Sequence, residues 1–190
     1  MDDTTTLLNT VIETLSDNLP FEGLARILWI GGPAAPATLI SIVPTPRKPW
    51  VISGEEIRTW LERGDARCTQ FRLPAYMLQI EEDISPSDRG ARDRNWKRIA
   101  GLVETGVPGE IFAEGAMGPL VARHAIATET QRKTLYRLLY RYWMFGQIRN
   151  ALLPNLLRRE QFENRGVSLS RDRRGGISEH HLEQRETVQM

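Results

Sequence analysis

The amino-acid sequence predicts a mostly α-helical fold with a small β element. An α+β module, a hairpin plus a helix, is expected over residues 1–83, and a three-helix domain over residues 84–160. Two observations lead to this prediction. Short runs rich in Ile, Leu and Val flank a Gly-Gly-Pro break at residues 31–33, whereas helical spacing of apolar residues dominates from residue 86 onward. The remaining residues, 161–190, are polar and are expected to form a disordered tail.

The first module contains a helix signal followed by a hairpin signal. "TTLLNTVIETL" predicts a short helix that Thr4 or Thr5 would cap. The apolar residues with helical spacing in this stretch are Leu7, Leu8, Val11, Ile12 and Leu15. The runs "LARILWIGG" and "ATLISIVP" then predict two strands, and the glycine–proline break between them predicts their hairpin connection.

A second helix is predicted in "ISGEEIRTWLERGDA". Ser53 and Glu56 form the capping-box pattern, and Gly64 has the position of a C-terminal cap. The expected inward residues are Ile57, Trp60 and Leu61. "CTQFRL" is a possible third strand, so the module reads as a small sheet packed by one helix, with a structural role.

The second module is predicted to be helical, after a polar linker in "EEDISPSDRGARD". The helix in "SPSDRGARDRNWKRIAGLVE" would turn one face inward: Trp96, Ile99, Leu102 and Val103. The short helix in "GPLVARHAIA" would do the same with Leu120, Val121 and Ala125. The third, in "TQRKTLYRLLYRYW", would bury Leu135, Leu138, Leu139 and Tyr142, with Trp143 beside them. A short second helix and a long basic third one are typical of a helix-turn-helix unit, although other three-helix bundles share this spacing.

Composition excludes several classes of protein. The single cysteine, Cys68, cannot form a disulfide within the chain or a cysteine-cluster zinc site, and it fits a reducing cytosol. No apolar run approaches the roughly 20 residues of a membrane-spanning helix, and the acidic N-terminus lacks a signal-peptide pattern. His124 is expected to be structural, and His180 and His181 have no ligand partners at metal spacing. The sequence therefore implies no metal, no cofactor and no membrane partner.

Charge is distributed unevenly along the chain. Residues 1–85 hold 7 Lys/Arg against 12 Asp/Glu, a net −5, and residues 86–190 hold 18 against 12, a net +6. Residues 123–174 hold 12 against 4, a net +8. Basic charge on aromatic-rich helices is compatible with a solvated face or with a polyanionic partner.

The third helix offers candidate DNA contacts. Its outward residues are Gln131, Arg132, Lys133, Thr134, Arg137 and Arg141. Side chains in the first turn of a recognition helix reach base edges, where Arg pairs with guanine and Gln with adenine, and later cations meet phosphate. Thr128 or Thr130 is expected to cap this helix. After the break at Gly146, a second contact segment is expected to present Gln147, Arg149 and Asn150.

The stretch "LYRLLYRYWMFGQIRNALLP" resembles the N-terminal region of the TnsB/TniA branch of Mu-like, DDE-type transposases. The matching residues are Tyr136, Arg137, Leu139, Arg141, Tyr142, Trp143, Gly146, Gln147, Asn150, Ala151, Leu152, Leu153 and Pro154. The resemblance extends over roughly residues 21–157 and is firmest from residue 89. It implies binding of double-stranded DNA at transposon-end repeats, without catalysis in this chain, because the RNase-H-like domain of the family has no counterpart here. It also implies a bacterial cytosolic, nucleoid-associated protein.

Two other functions are compatible with the sequence. A stand-alone helix-turn-helix transcriptional regulator would need a dimerisation surface. A protein-interaction module of a transposition complex would use the aromatic helix to bind another transposition protein. An enzyme is the least favoured class, because no paired carboxylates or nucleophile–base grouping occur at a recognisable spacing, and no small-molecule substrate is implied.

Overall fold

A computed structural model of the chain describes residues 7–31, 35–43, 47–104 and 109–154. The described residues lie in one compact unit. They form five strands and four α-helices: β1 (Val11–Thr14), β2 (Leu24–Ile30), β3 (Pro36–Ser41), β4 (Trp50–Ser53), α1 (Gly54–Arg63), β5 (Ala66–Thr69), α2 (Pro86–Val103), α3 (Met117–Ala127) and α4 (Arg132–Met144). Short 3₁₀ turns occur at Ala75–Met77, Glu81–Asp83, Glu110–Phe112 and Arg149–Leu152. The predicted tail, with His180 and His181, lies outside the described residues.

The β element is larger than the predicted hairpin, so the fold is mixed α+β rather than mostly α. One antiparallel sheet has the strand order β4-β3-β2-β1-β5. The predicted hairpin of β2 and β3 is confirmed, with a bulge between Ile27 and Trp29. The possible third strand predicted at residues 68–73 is confirmed only at Cys68 and Thr69, the last residues of β5, which begins at Ala66 and pairs with β1. The sequence analysis missed β4.

The helix predicted at residues 5–15 is wrong, because Val11–Thr14 is a strand; its predicted caps, Thr4 and Thr5, lie outside the described residues. Helical and extended patterns are hard to distinguish in so short an apolar run. Three of the four strand residues, Val11, Ile12 and Thr14, are β-branched, which favours an extended backbone. The strand hydrogen-bonds to β2 on one side and to β5 on the other, and these pairings fix its conformation.

The central strand β2 is buried on both faces. Alternate side chains of a strand point to opposite sides, so Ala25 and Ile27 face one way and Arg26 and Leu28 the other. The first face contributes to a core with Ile57 of α1. On the helical side, β2 and β3 contact α4. The sheet therefore packs between α1 on one face and α4 on the other. The predicted domain boundary after residue 83 stays a prediction.

The signals at the ends of α1 are confirmed. Ser53 accepts from the Glu56 backbone N–H at 3.1 Å, and the Glu56 carboxylate accepts from the Ser53 backbone N–H at 3.2 Å. Gly64 ends the helix in the left-handed conformation, at φ 75°. Ile57 is buried, and Trp60 and Leu61 pack on the same core as predicted.

The predicted linker at residues 81–93 overlaps the helix predicted from Ser85, and over residues 86–93 the structure confirms the helix and not the linker. Helix α2 begins at Pro86, with Ser85 as N-cap accepting from the Asp88 backbone N–H at 3.2 Å. Serine followed by proline is a common helix start, because proline at the first position needs no hydrogen-bond donor. The predicted face of this helix is confirmed in its last two turns, where Ile99 and Leu102 are buried and Trp96 and Val103 are half-buried.

Helices α3 and α4 form where the sequence predicts them. Val121 and Ala125 of α3 are buried, and Leu120 is half-buried. Leu135, Leu138, Leu139 and Trp143 of α4 are buried, and Tyr142 is half-buried against Trp96. The two helices pack together through a connection at residues 128–131. The assignment of α2, α3 and α4 to a helix-turn-helix unit stays a prediction.

Candidate nucleic-acid interface

The first turns of α4 expose three cations. Arg132, Lys133 and Arg137 are exposed, as is Gln131 just before the helix. None of these three cations has an ion pair or a hydrogen-bonded side chain within residues 7–31, 35–43, 47–104 and 109–154. Their charges are therefore available to an external anion. Thr134, the remaining candidate of this half of the helix, is half-buried.

The start of α4 is electrostatically unfavourable in isolation. Its N-cap is Gln131, which makes no side-chain capping bond, and its first turn contains no acidic residue. The predicted caps are wrong: the Thr128 hydroxyl donates to the His124 carbonyl, and the Thr130 hydroxyl donates to the Thr128 carbonyl. Basic residues in the first turn are repelled by the positive end of the helix dipole. A phosphate bound at that end would offset this repulsion and would accept from the uncapped backbone N–H groups.

Arg141, two turns beyond Lys133, has partners inside the protein. Its Nη2 donates to the Leu153 carbonyl at 2.7 Å and to the Tyr76 hydroxyl at 3.2 Å. These bonds fasten the segment after α4 back onto the helix. Arg137 is therefore exposed, whereas Arg141, only four residues later, is hydrogen-bonded inside the protein.

The chain leaves α4 through two residues with a left-handed backbone, Gly146 at φ 87° and Gln147 at φ 61°. Gln147 is half-buried. Arg149 stacks over the ring of Trp96, 4.6 Å from its centroid, and its Nη2 lies 3.4 Å from the Glu104 carboxylate. Its side chain remains 59% exposed, so it can still meet a partner.

Asn150 occupies the centre of an internal network. Its Nδ2 donates to the carbonyls of Met77 and Gln79, at 3.2 and 3.0 Å, and its Oδ1 accepts from Arg92. Both amide hydrogens are thus used inside the protein. The contact of this side chain with DNA stays a prediction.

Arg92 joins this network to the start of α2. The Arg92 side chain is 8% exposed and donates to both oxygens of Glu81, at 2.7 and 2.8 Å, and to Asp93. The hydrogen bond to Glu81 raises the pKa of Arg92 above its usual value, and the same bond lowers the pKa of Glu81. The pair is therefore fully charged at neutral pH. An open cleft of about 570 Å³ borders it, lined by Met77, Leu78, Glu81, Arg92, Ile148, Arg149 and Asn150.

A second buried arginine ties the sheet to the end of α4. Arg26 of β2 donates from Nε to the Met144 carbonyl at 3.0 Å and from Nη1 to the Asn9 carbonyl at 2.7 Å. Its guanidinium carbon lies 5.6 Å from the centroid of the Phe71 ring. Burial lowers the pKa of Arg26 to about 10, which leaves it charged at pH 7. A cation next to the last carbonyls of a helix also complements the helix dipole.

Asn9 completes this junction, because its Nδ2 donates to the Gly146 carbonyl at 3.1 Å. The sequence analysis did not single out Arg26 or Asn9. An arginine inside the apolar run "LARILWI" is a usable signal, since a buried arginine requires several acceptors. Which acceptors it finds could not be predicted, since Met144 is 118 residues away along the chain.

His124 is positioned as a structural residue of α3. Its Nε2 lies 2.8 Å from the Arg98 carbonyl of α2 and can donate to it. Within the described part of the chain, no group of three or more His, Cys, Asp or Glu residues could hold a metal ion. Among the helices in the same part, none has the length and apolar character needed to cross a membrane.

Comparison with known proteins agrees with the resemblance drawn from the sequence. No curated protein matches the chain. One family model, described as the TnsB second domain, matches residues 92–156. This range contains the exposed cations at the start of α4, the segment after α4 that Arg141 binds, and most of α2. The resemblance is therefore confirmed over residues 92–156, which are similar to the second domain of TnsB.

Proposed function

We propose that this protein binds double-stranded DNA in a sequence-specific manner, as the transposon-end-binding part of a TnsB-like transposase. The observation that carries the proposal is the exposed basic start of α4, within the segment that matches the TnsB second domain. Arg132 and Lys133 lie in the first turn, where side chains of a recognition helix reach base edges. Arg137 follows one turn later and meets phosphate.

The proposal divides the predicted contact residues into two groups. Gln131, Arg132, Lys133 and Arg137 are exposed and face the DNA, with Arg149 contributing from the segment after α4. Arg141 and Asn150 act from inside the protein, by holding that segment in place. Thr134 and Gln147 are half-buried at the border between the two groups.

Selection from a random duplex library, followed by binding titrations at several salt concentrations, tests this function. A preferred site should be enriched, and the slope of log affinity against log salt should be about −4 to −5 if about four to six phosphates are neutralised. A flat salt response, or a library that shows no enrichment, would contradict the proposal.

Two variants of the full chain locate the contact. Arg132→Ala should weaken the preferred duplex by about 1–3 kcal/mol and affect random duplex little, because it removes a base contact. Arg72→Ala is the matched control, since it removes one exposed arginine that lies outside α4. If the control weakens binding as much as Arg132→Ala, the effect reflects net charge and not a contact.

The proposal includes binding without catalysis. Cleavage of DNA by two metal ions requires carboxylates grouped around one phosphate. The full chain should therefore leave supercoiled DNA intact in Mg²⁺ or Mn²⁺. Nicking that disappears when one of the chain's own acidic residues is replaced would show that this part of the proposal is wrong.

A further inference from the structure

The cations of α2 fall into two groups with different surroundings. In the first half of the helix, Arg89 and Arg92 are both paired with Glu81, at 3.3 and 2.7 Å. Arg89 also donates to the carbonyls of Glu81 and Ile84. These two arginines are committed to holding α2 against the 3₁₀ turn that precedes it.

In the second half of α2, Arg94, Lys97 and Arg98 are exposed. Their spacing of i, i+3 and i+4 places them on one side of the helix, away from the buried Ile99, with Arg98 at the edge next to the buried Leu102. None of them pairs with a carboxylate in the part of the chain that the structure describes. Arg98 makes one weak bond, from Nη1 to the Asn95 amide oxygen at 3.3 Å.

Sequence spacing alone would give Lys97 a carboxylate partner. Asp93 lies four residues before it, at the spacing where an acidic and a basic side chain pair on a helix. The Asp93 carboxylate is instead bound to Arg92, at 2.8 Å. The network that buries Arg92 thus leaves Lys97 uncompensated.

This group of cations is held beside α3. The imidazole of His124 lies 2.8 Å from the Arg98 carbonyl. Gly101 permits this approach, because a Cβ at that position would lie 2.8 Å from His124 Cε1. The connection at residues 128–131 then leads from α3 to the basic start of α4. The exposed cations of α2 and those of α4 therefore belong to helices that pack against each other in one compact unit.

We propose that Arg94, Lys97 and Arg98 form a second DNA contact, made to the phosphate backbone. The inference rests on the proposed function and extends it to a surface that the sequence analysis did not assign. Three long, exposed cationic side chains that pair with no carboxylate in the described part of the chain suit a row of phosphates. Phosphate contacts supply affinity and salt dependence but carry no sequence information, so this contact adds affinity equally on all duplexes.

The test compares three triple variants of the full chain on the preferred duplex and on random duplex. R94Q/K97Q/R98Q removes the α2 cations while keeping good helix formers, and R47Q/K48Q/R72Q removes the same charge from the sheet side. R132Q/K133Q/R137Q removes the α4 cations. A melting curve for each variant verifies that it is folded. The α2 variant should make the salt slope shallower by about 2–3 units and leave the ratio of preferred to random affinity unchanged.

The outcomes separate this inference from the proposed function. If wild-type protein binds DNA and the α2 variant behaves like the sheet-side control, the α2 contact is wrong while the proposed function stands. A loss of discrimination in the α2 variant would also overturn it, because a phosphate contact cannot read sequence. Binding of poly-glutamate that depends on the α2 cations, with DNA binding unchanged, would assign the surface to an acidic polypeptide. Failure of wild-type protein to bind any duplex would defeat the proposed function itself.

Discussion

At its beginning, α4 exposes Arg132 and Lys133, neither of which forms an ion pair among the residues that the structure describes; at its end, Arg141 and the Met144 carbonyl are bound inside the protein. Both ends are basic and aromatic in sequence, so the residue types alone do not distinguish them. What distinguishes them is the presence of acceptors contributed by distant parts of the chain. The free end is available to a polyanion, and the bound end holds the helix in place.

At the bound end of α4, arginines form hydrogen bonds inside the protein instead of facing solvent. Arg26 reaches across from the sheet to the last turn of α4, and Arg141 reaches from α4 to the segment after it. Arg26 satisfies the Met144 carbonyl, one of those that helix geometry leaves without a donor, and Arg141 satisfies the Leu153 carbonyl beyond the helix. The end of α4 is therefore positioned by side chains, while its first turn depends on what it meets outside.

Trp143→Ala should destabilise the protein by about 3–5 kcal/mol, because it removes a large buried aromatic side chain and leaves a cavity. Trp143 is 1% exposed, and its ring lies 5.1 Å from that of Phe112. Urea denaturation monitored by circular dichroism measures the change. A loss below about 1 kcal/mol would mean that the buried face of α4 has been misplaced.

Arg26→Ala should cost about 1.5–3 kcal/mol, because it removes charge-assisted bonds to the Met144 and Asn9 carbonyls. The matched control is Arg67→Ala in β5, whose pair with Glu13 is 63% exposed on the arginine side. Surface pairs of this kind contribute at most about 1 kcal/mol. If both variants lose the same free energy of unfolding in the same denaturation experiment, the hydrogen bonds of Arg26 stabilise the protein no more than a surface ion pair does.

Gly146→Ala should cost about 1–2 kcal/mol, because a side chain disfavours the left-handed backbone found there at φ 87°. Space is not the limitation, since a Cβ would lie 3.4 Å from Arg26 Nη1. Gly118→Ala in α3 is the control: nothing lies within 4 Å of its Cβ position, and alanine there should stabilise the helix by about 0.5–1 kcal/mol. A lower melting temperature for Gly146→Ala and a higher one for Gly118→Ala would confirm that the backbone conformation of the glycine determines the effect of the substitution.

How far the sequence predicts this molecule depends on how local each determinant is. The caps of α1 are predicted residue by residue, because Ser53, Glu56 and Gly64 act within one helix. The faces of α3 and α4 are predicted from spacing for the same reason. β1 is missed because its conformation depends on pairing with β5, whose Thr69 opposes Val11 across the sheet.

The candidate site follows the same rule. Its residue types and its family resemblance are readable from "LYRLLYRYWMFGQIRNALLP", and the exposure of Lys133 and Arg137 follows from helical spacing. The internal partners of Arg141 and Asn150 are not readable, since Tyr76 and Met77 approach them from more than sixty residues earlier. An arginine or asparagine predicted to face outward can thus be bound by a loop that no local pattern connects to it.

Arg137 and Arg141, one turn apart on α4, give the sharpest form of the comparison. Arg137→Ala should change stability by no more than about 0.5 kcal/mol, since Arg137 is exposed and has no partner in the described ranges. It should make the salt slope of DNA binding shallower by about one unit, as expected for one lost phosphate contact. Arg141→Ala should instead cost about 1.5–3 kcal/mol of stability, through its bond to the Leu153 carbonyl, and leave the slope unchanged at temperatures where the variant is folded. Melting curves and salt titrations of both variants decide the matter. If Arg141→Ala changes the slope and Arg137→Ala changes the melting temperature, the roles assigned to the two ends of α4 are reversed.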